Sequence, residues 1–359
     1  MTTRPPEGEL PIGGAGLGVD EYLEFLHKEY LADFIRRGGA SVKVAVVGGD
    51  QVAERLHAGL AAAARAEGYL FAAVDAASDR VHLVDQVFFA VARQVDWHAL
   101  ATSAVRAAYD AAAFPVPDAD ALAPGAPGAP GAPGLAQPEP SGGLTVPAVA
   151  AAYDVNPREL YRSVRRQLEQ ALLGDTGLAH EFRLAMLRLC QAELGAGDVD
   201  VVERDAVLGW LRGERVPLPA LRSALIYGRI GRHNARSLLA SLARWLPTVG
   251  TAGLVIGFDL ARLAVGRRPP VEQREGVYYS KAAVLDAYEV VRQLIDATDS
   301  LSSVLMAVVM PPELVTDEVR GLPAYSALQL RVADEVRDRR RTNPYAALVR
   351  LDVRLEVIR

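Results

Sequence analysis

The sequence has a single cysteine among its 359 residues, so it cannot form an internal disulfide or a cysteine-based zinc cage. Cys190 stands three residues after Leu187 in the helix-like run "EFRLAMLRLCQAEL", and this spacing predicts a buried thiol. The six histidines show neither metal-ligand spacing with carboxylates nor a His-Glu-x-x-His arrangement, and no Gly-x-Ser-x-Gly elbow is present. We therefore expect no metal site, and neither a metalloenzyme nor a serine hydrolase.

Long apolar runs and a strong excess of one charge are also missing. No apolar run approaches the roughly 20 residues that span a bilayer, and "MTTRPPEGELPIGG" lacks the basic-then-apolar pattern of a signal peptide. The net charge is −5, with 39 basic and 44 acidic side chains well mixed along the chain. We therefore expect a cytoplasmic protein without a membrane partner, in which only a local basic cluster can contact DNA.

Proline and glycine are concentrated in two stretches that show no apolar period. The first stretch predicts a flexible leader at residues 1–19. The second, at 115–147, repeats Ala-Pro-Gly and predicts a disordered linker, since this composition cannot build a packed core. The linker separates 20–114, the first part of an α/β domain, from a helical insertion at 148–246. Residues 247–359 then supply the second part of the α/β domain, with a C-terminal helix and strand.

Several short apolar runs predict buried strands. They are rich in β-branched residues, which is typical of parallel strands covered on both faces. An amphipathic helix, "DEYLEFLHKEYLADFIRRGG", precedes the first of them and is predicted to bury Tyr22, Leu23, Leu26, Tyr30, Leu31 and Phe34. The predicted strands are "VKVAVV", "YLFAAVDAA", "AGLVIGFDL" and "SSVLMAVVM". The order of these elements predicts an α/β fold with a doubly wound, mainly parallel P-loop NTPase-like sheet and a helical insertion.

The first strand runs through two glycines into a helix, as a phosphate-binding loop does. A working loop has the form G-x-x-x-x-G-K-[ST], in which the lysine neutralises phosphate charge and the hydroxyl holds Mg²⁺. The octet that starts at Gly48 is "GGDQVAER", with alanine, glutamate and arginine in place of the second glycine, the lysine and the hydroxyl residue. The predicted degenerate nucleotide loop consists of Gly48, Gly49, Asp50, Ala53, Glu54 and Arg55.

Replacing the lysine with Glu54 reverses the electrostatics of such a loop. For charges 4 Å apart at an effective dielectric constant near 20, the reversal costs roughly 8 kcal/mol per phosphate charge before relaxation. Arg55 cannot ligate magnesium, and Asp50 adds a second negative charge. We therefore expect no cofactor, or at most weak binding of Mg·ATP. The same pattern also arises when any buried strand meets a Gly-Gly turn and a helix.

A later strand resembles a Walker B motif, in which an apolar run ends in the aspartate that orients the magnesium shell. "GLVIGFDLARL" contains such a run and ends in Asp259. The next residue is Leu260, where ring-type ATPases usually carry the glutamate that activates water. The candidate general base is therefore missing, in parallel with the losses at the first motif.

Taken in order, these segments resemble the ATP-binding proteins of the BREX phage-defence systems, a P-loop family related to AAA-type and signal-transduction ATPases. The resemblance covers roughly residues 20 to 350. It depends on "RRGGASVKVAVVGG", "GYLFAAVDAA", "LGWLRGE", "IGRHNARSLLASLARWL", "GLVIGFD", "AYEVVRQLID" and "RGLPAYSALQLRV". It implies that Asp259 is the Walker B aspartate, and that Glu54, Arg55 and Leu260 stand where the family has its lysine, hydroxyl and catalytic acid.

The resemblance and the lost residues together predict a pseudo-ATPase. Such a subunit has a regulatory or scaffolding role in a bacterial antiphage defence complex, with a homologous active ATPase or other defence-system proteins as partners in a hetero- or homo-oligomer. A second hypothesis is a weak nucleotide-binding subunit whose ATPase site a partner completes in trans. A third hypothesis is a DNA-binding accessory module.

Three basic regions are candidate contacts to phosphate or DNA. Arg232 and Arg236 flank the start of the helix in "GRHNARS" and are candidates for a trans-acting arginine finger or a phosphate patch. The densest basic cluster is "RDRRRTNP", with Arg339, Arg340 and Arg341. The run "RSVRRQ" adds Arg162, Arg165 and Arg166, which could contact the DNA backbone in the same way. A solvated basic surface is the alternative for each region.

Overall fold

The structure is a computed structural model that describes residues 17–116, 144–268, 270, 272, 275–332 and 343–351. The predicted leader and the predicted Ala-Pro-Gly linker lie mostly outside the described residues, and Arg339, Arg340 and Arg341 lie wholly outside them. The chain divides into two compact units. We call residues 1–91 with 252–359 the sheet unit and residues 92–251 the helical unit. The domain boundaries drawn from composition stay predictions.

The sheet unit contains a five-stranded parallel sheet with the strand order β2-β3-β4-β1-β5. Its strands are β1 (Ala40–Val47), β2 (Leu70–Asp75), β3 (Leu254–Asp259), β4 (Val304–Met310) and β5 (Leu348–Leu351). Every residue of β4 is buried, whereas β2 and β5, which have one strand neighbour each, have some residues that are only partly buried or exposed. The predicted α/β fold with a mainly parallel, P-loop NTPase-like sheet is confirmed, and each predicted apolar run forms a strand.

Thirteen α-helices are described. In chain order they are α1 (Val19–Phe25), α2 (Asp50–Ala66), α3 (Val84–Ala92), α4 (Trp97–Ala111), α5 (Val146–Tyr153), α6 (Pro157–Leu173), α7 (His180–Glu193), α8 (Val201–Arg212), α9 (Leu218–Ser223), α10 (Ala235–Trp245), α11 (Lys281–Asp296), α12 (Glu313–Thr316) and α13 (Ser326–Val332). Short 3₁₀ helices include Leu246–Val249, Ala261–Ala264 and Leu322–Ala324. Within the described residues, no helix is long and apolar enough to cross a membrane.

The helix before β1 differs from its prediction. α1 continues as a π-helical segment at Leu26–Phe34, whose hydrogen bonds span five residues, as does the bond from the Ile35 N–H to the Tyr30 carbonyl at 2.8 Å. Residues five apart therefore share a face, and Leu26 and Leu31 are both fully buried. Phe34, predicted on the buried stripe from an α-helical period, is instead 46% exposed. That part of the prediction was wrong because the period changes within the helix.

The main core of the sheet unit lies between α1, the π-helical segment, α2 and one face of the sheet. Leu56 and Leu60 of α2 are 1% exposed and belong to the same buried cluster as Val255 of β3 and Leu305 of β4. Alternate residues of each strand point to this face, and the remaining buried residues point to the other. Burying one such leucine contributes about 1.5–3 kcal/mol, so this layer holds α2 at a fixed position over the sheet.

The helical unit is built around α4, α6 and α7, which pack on one another. Tyr109, Val164 and Phe182 are fully buried in it. Cys190 is also fully buried, as predicted, and burial raises the pKa of its thiol to about 12. The successive helices predicted from the sequence in this part of the chain are present.

Candidate functional site

Two glycines form the whole connection between β1 and α2. β1 ends at Val47 and α2 begins at Asp50, with Gly49 as its N-cap residue. The backbone N–H groups of Val52 and Ala53 both donate to the Gly49 carbonyl at 3.1 Å, so the helix is already hydrogen-bonded there. A Walker A loop instead places several residues between strand and helix, and their N–H groups surround the phosphates. The turn in this structure is too short for that.

Glu54 and Arg55 lie inside α2 rather than at the turn. Glu54 is the fifth residue of the helix and is exposed, so it lies about 6 Å along the helix axis from Asp50. The Arg55 guanidinium pairs with Asp20 of α1, with 2.5 Å between Nη2 and Oδ2. Ala53 is buried against the core. The octet that matches a Walker A motif in sequence therefore does not form a loop of that shape.

Asp50 is the first residue of α2 and is exposed beside Gly48 and Gly49, which are exposed too. A carboxylate at this position interacts favourably with the positive end of the helix dipole. In a phosphate-binding site the ligand itself provides that negative charge. The helix therefore carries its own anion at the place where a phosphate would bind.

Asp259 ends β3 at the carboxyl edge of the sheet, as the Walker B resemblance implies. Its Oδ1 accepts a hydrogen bond from the Ala261 N–H at 2.7 Å, next to the start of the 3₁₀ helix Ala261–Ala264. Leu260 is fully buried, and its N–H donates to the Val309 carbonyl at 2.8 Å. The position after the aspartate is therefore part of the core and does not face a ligand.

His57 of α2 lies next to Asp259, with 3.9 Å between its Nε2 and Oδ2 of the aspartate. This Nε2 is buried and has no hydrogen-bond partner within the described residues. The ring packs over Gly257 of β3, where a Cβ atom would lie 2.9 Å from the His57 Nδ1. Glycine at this strand position is therefore what allows the imidazole to approach the sheet.

Burial is the largest influence on the pKa of both side chains of this pair. It lowers the pKa of His57, although Asp259 and Asp75 act in the opposite direction. Burial also raises the pKa of Asp259; a hydrogen bond from Ala261 and the nearby His57 oppose the shift, and Asp75 and Asp50 add to it. His57 is therefore neutral at neutral pH. The pair does not reproduce the full positive charge of a lysine or a magnesium ion.

Asp75 completes the carboxyl edge of the sheet. It ends β2, lies in register beside Asp259, and accepts a hydrogen bond from the Ala77 N–H at 2.7 Å through its Oδ1. Sequence reasoning missed both Asp75 and His57. The signal for Asp75 was present, because it is the acidic residue that ends the run "YLFAAVD" and parallel strands end at the same edge. His57 follows Ala53 by one helical turn and so shares its face.

The remaining predicted site residues that the structure describes, Arg232 and Arg236, belong to the helical unit. Arg232 and Arg236 are exposed at the start of α10, where the Asn234 Oδ1 accepts a hydrogen bond from the Gly231 N–H at 2.9 Å and fixes the turn. Throughout the part of the chain that the structure covers, no group of three or more His, Cys, Asp or Glu side chains is arranged to hold a metal ion.

The five parallel strands, the strand-turn-helix at β1 and the acidic end of β3 define a P-loop NTPase-like α/β protein. The model of the family described as BREX system ATP-binding protein BrxC/D matches residues 145–355, more than half of the chain. The chain belongs to this family, which indicates a role in BREX phage defence alongside other proteins of that system. The matched range includes Asp259 but not the turn after β1. No curated protein and no solved structure matches the chain.

Proposed function

We propose that the chain is a catalytically degenerate, P-loop ATPase-like subunit with a regulatory or scaffolding role in a BREX phage-defence complex. The observation that carries this proposal is the two-residue connection between β1 and α2. It provides no loop to enclose a phosphate, and it leaves Glu54 and Arg55 within the helix. The sheet itself keeps continuous register along all five strands, so the scaffold is retained while the phosphate loop is not.

Three contributions that a P-loop ATPase needs are absent or reversed at this edge of the sheet. No lysine stands at the start of α2, Leu260 is buried where a general base would stand, and Asp50 lies at the helix N-terminus. Asp75 and Asp50 already oppose ionisation of Asp259, and a triphosphate would add more negative charge to the same region. These residues do not fit Mg·ATP bound in the usual P-loop mode.

A direct test is a titration of the purified full-length chain with a fluorescent ATP analogue in the presence of magnesium, together with an assay for phosphate release. We expect no binding in the micromolar range and no turnover. Micromolar binding with turnover that Asp259→Asn abolishes would overturn the proposal. Asp296→Asn, which changes an exposed carboxylate on α11, is the matched control for loss of one negative charge.

The scaffolding role is tested through the partner, which we propose to be a homologous, active ATPase of the same system. Purification of the tagged chain from its native host, followed by mass spectrometry, should recover an ATPase with an intact lysine and catalytic glutamate. Recovery of no other protein of the defence system would contradict the role.

Measuring ATP turnover in a mixture of this chain and the recovered ATPase separates this proposal from completion of the nucleotide site in trans. If this chain supplied Arg55 to a shared site, Arg55→Ala would abolish the turnover of the mixture. We expect Arg55→Ala to leave turnover unchanged, because the guanidinium is already paired with Asp20 of α1.

A further inference from the structure

α5 and α6 of the helical unit form a short helix, a three-residue turn and a longer helix. α5 has 8 residues, α6 has 17, and residues 154–156 connect them. Asp154 adopts the left-handed conformation, with φ 50°, and the Val155 N–H donates to the Ala150 carbonyl at 3.0 Å. The Asn156 Oδ1 accepts from the Arg158 N–H at 2.9 Å and so caps α6. This is the element pattern of a helix-turn-helix, with both ends of the turn hydrogen-bonded.

One face of α6 is committed to the core of the helical unit. α6 packs against α4, α5 and α7. Its buried residues recur every four positions: Leu160, Val164, Leu168 and Leu172. The helix is therefore held by its neighbours along its whole length. The face turned away from this leucine-rich stripe is exposed to solvent.

That exposed face carries three arginines at the same four-residue spacing. Arg158, Arg162 and Arg166 are exposed, and no ion pair or side-chain hydrogen bond holds their guanidinium groups within the described residues. Arg165, in contrast, is paired with Glu169 at 2.7 Å and Asp198 at 3.5 Å. The three unpaired guanidiniums form a basic stripe, although Glu159 is exposed nearby.

The stripe extends over about two turns of a helix that is narrow enough, at about 10–12 Å across with its side chains, to enter a DNA groove. Arg158 is the second residue of α6, and Arg166 lies two turns further along, so the stripe is about 12 Å long. The major groove of B-form DNA is about 12 Å wide and admits one α-helix. In a helix-turn-helix the N-terminal residues of the second helix contact base edges. Arg158 and Arg162 lie in the N-terminal half of α6, and Arg166 follows just past its middle. Three like charges without internal partners favour an anionic ligand, and a duplex presents a regular array of phosphate charges along its length.

We propose that α5 and α6 are a DNA-binding helix-turn-helix, with α6 in the major groove of a DNA duplex and Arg158, Arg162 and Arg166 contacting it. Guanidinium groups bind phosphate oxygens or the O6 and N7 atoms of guanine, and Glu159 is placed to accept from cytosine N4. This site does not depend on the nucleotide-site proposal, because it lies in the other unit and uses none of the same residues.

The test compares two charge-matched triple variants of the full-length chain with the wild type. The first is Arg158→Gln/Arg162→Gln/Arg166→Gln. The second, a control, is Arg106→Gln/Arg215→Gln/Arg222→Gln, which removes the same charge from arginines of the helical unit that are also exposed and without ion pairs among the described residues. Fluorescence anisotropy with a labelled duplex of about 30 base pairs is recorded from about 50 to about 200 mM salt.

We expect wild-type binding that weakens steeply with salt. The α6 variant should bind at least about tenfold more weakly, and its salt slope should fall by about 2–3, near 0.9 for each lost phosphate contact. The control should stay within about threefold of the wild type. Circular dichroism checks that both variants fold, which the exposure of all six positions predicts.

Three outcomes would overturn the assignment. They are a wild-type chain that does not bind duplex DNA, an equal loss in the control variant, and equal affinity for double-stranded RNA of the same sequence. The last outcome excludes a helix in the major groove, because that groove is too deep and narrow in A-form RNA for side chains to read.

Discussion

Restoring the Walker A residues by mutation should not restore a nucleotide site. The double variant Glu54→Lys/Arg55→Thr recreates the lysine and hydroxyl pair of the sequence motif. In the structure both residues lie more than one turn inside α2, which begins at Asp50. The new lysine therefore lies about 6 Å along the axis beyond the position from which a P-loop lysine reaches phosphate.

The expected gain in affinity for ATP is small because the new lysine lies so far from the phosphates. A lysine about 4 Å from phosphate at an effective dielectric constant near 20 would change the interaction by roughly 8 kcal/mol per phosphate charge, relative to glutamate. At about 10 Å across solvent, with a Debye length near 10 Å, the same reversal is worth about 0.3 kcal/mol per charge. For a triphosphate the affinity therefore rises by less than about tenfold.

The assay is a titration with a fluorescent ATP analogue and magnesium, with Ala58→Lys as the control. Ala58 is exposed on α2, so its replacement adds a positive charge to the helix away from the motif. Gains of similar size in the two variants are expected, because both act only through long-range attraction. Low-micromolar binding in the double variant alone would refute the reasoning and would show that the Gly-Gly turn rearranges around phosphate.

Three further variants test the packing at the carboxyl edge of the sheet. Gly257→Ala should lower the free energy of unfolding by about 1–3 kcal/mol in chemical denaturation, because the new Cβ displaces the His57 ring; no change would contradict the close approach. Burial lowers the pKa of His57 in the folded protein, so the unfolded chain binds the proton more readily and the wild type loses stability as pH falls below about 6.5. His57→Asn should therefore show a smaller fall in melting temperature between about pH 7.5 and about pH 5, and equal falls would count against burial as the cause. Leu260→Glu, which restores the usual glutamate, should destabilise by more than about 3 kcal/mol without producing ATPase activity, since it places a carboxylate in a fully buried position.

The strands were predictable from the sequence because each central strand is a nearly unbroken apolar run. The run "VKVAVV" is apolar almost throughout, as a strand covered on both faces must be, and β1 has neighbours on both sides in the sheet. The same holds for β3 and β4. The π-helical segment was not predictable from an α-helical period, because a five-residue spacing of Leu26 and Leu31 also fits an imperfect α-helical stripe.

The site was only partly predictable, because a motif gives spacing along the chain but not where the helix begins. The Walker A octet was aligned from Gly48, whereas α2 starts at Asp50 and carries Glu54 away from the turn. The α5–α6 turn was missed for a related reason. Its left-handed position is Asp154 rather than the glycine that often marks such turns, and only the backbone conformation shows it.

The order of the strands in the sheet has a consequence for biosynthesis. Ala40 of β1 lies beside Val304 of β4, so the first strand neighbour of β1 leaves the ribosome about 260 residues later. At a translation rate of about 5–20 residues per second, β1 is therefore without a strand neighbour for roughly 13–50 s after its own synthesis. β2 is also unpaired during this time, because its partner β3 is synthesised only after the whole helical unit. The helices of residues 92–251 can therefore fold on the emerging chain while two apolar strands remain open to aggregation, and a chaperone that holds the N-terminal segment should raise the yield of native protein.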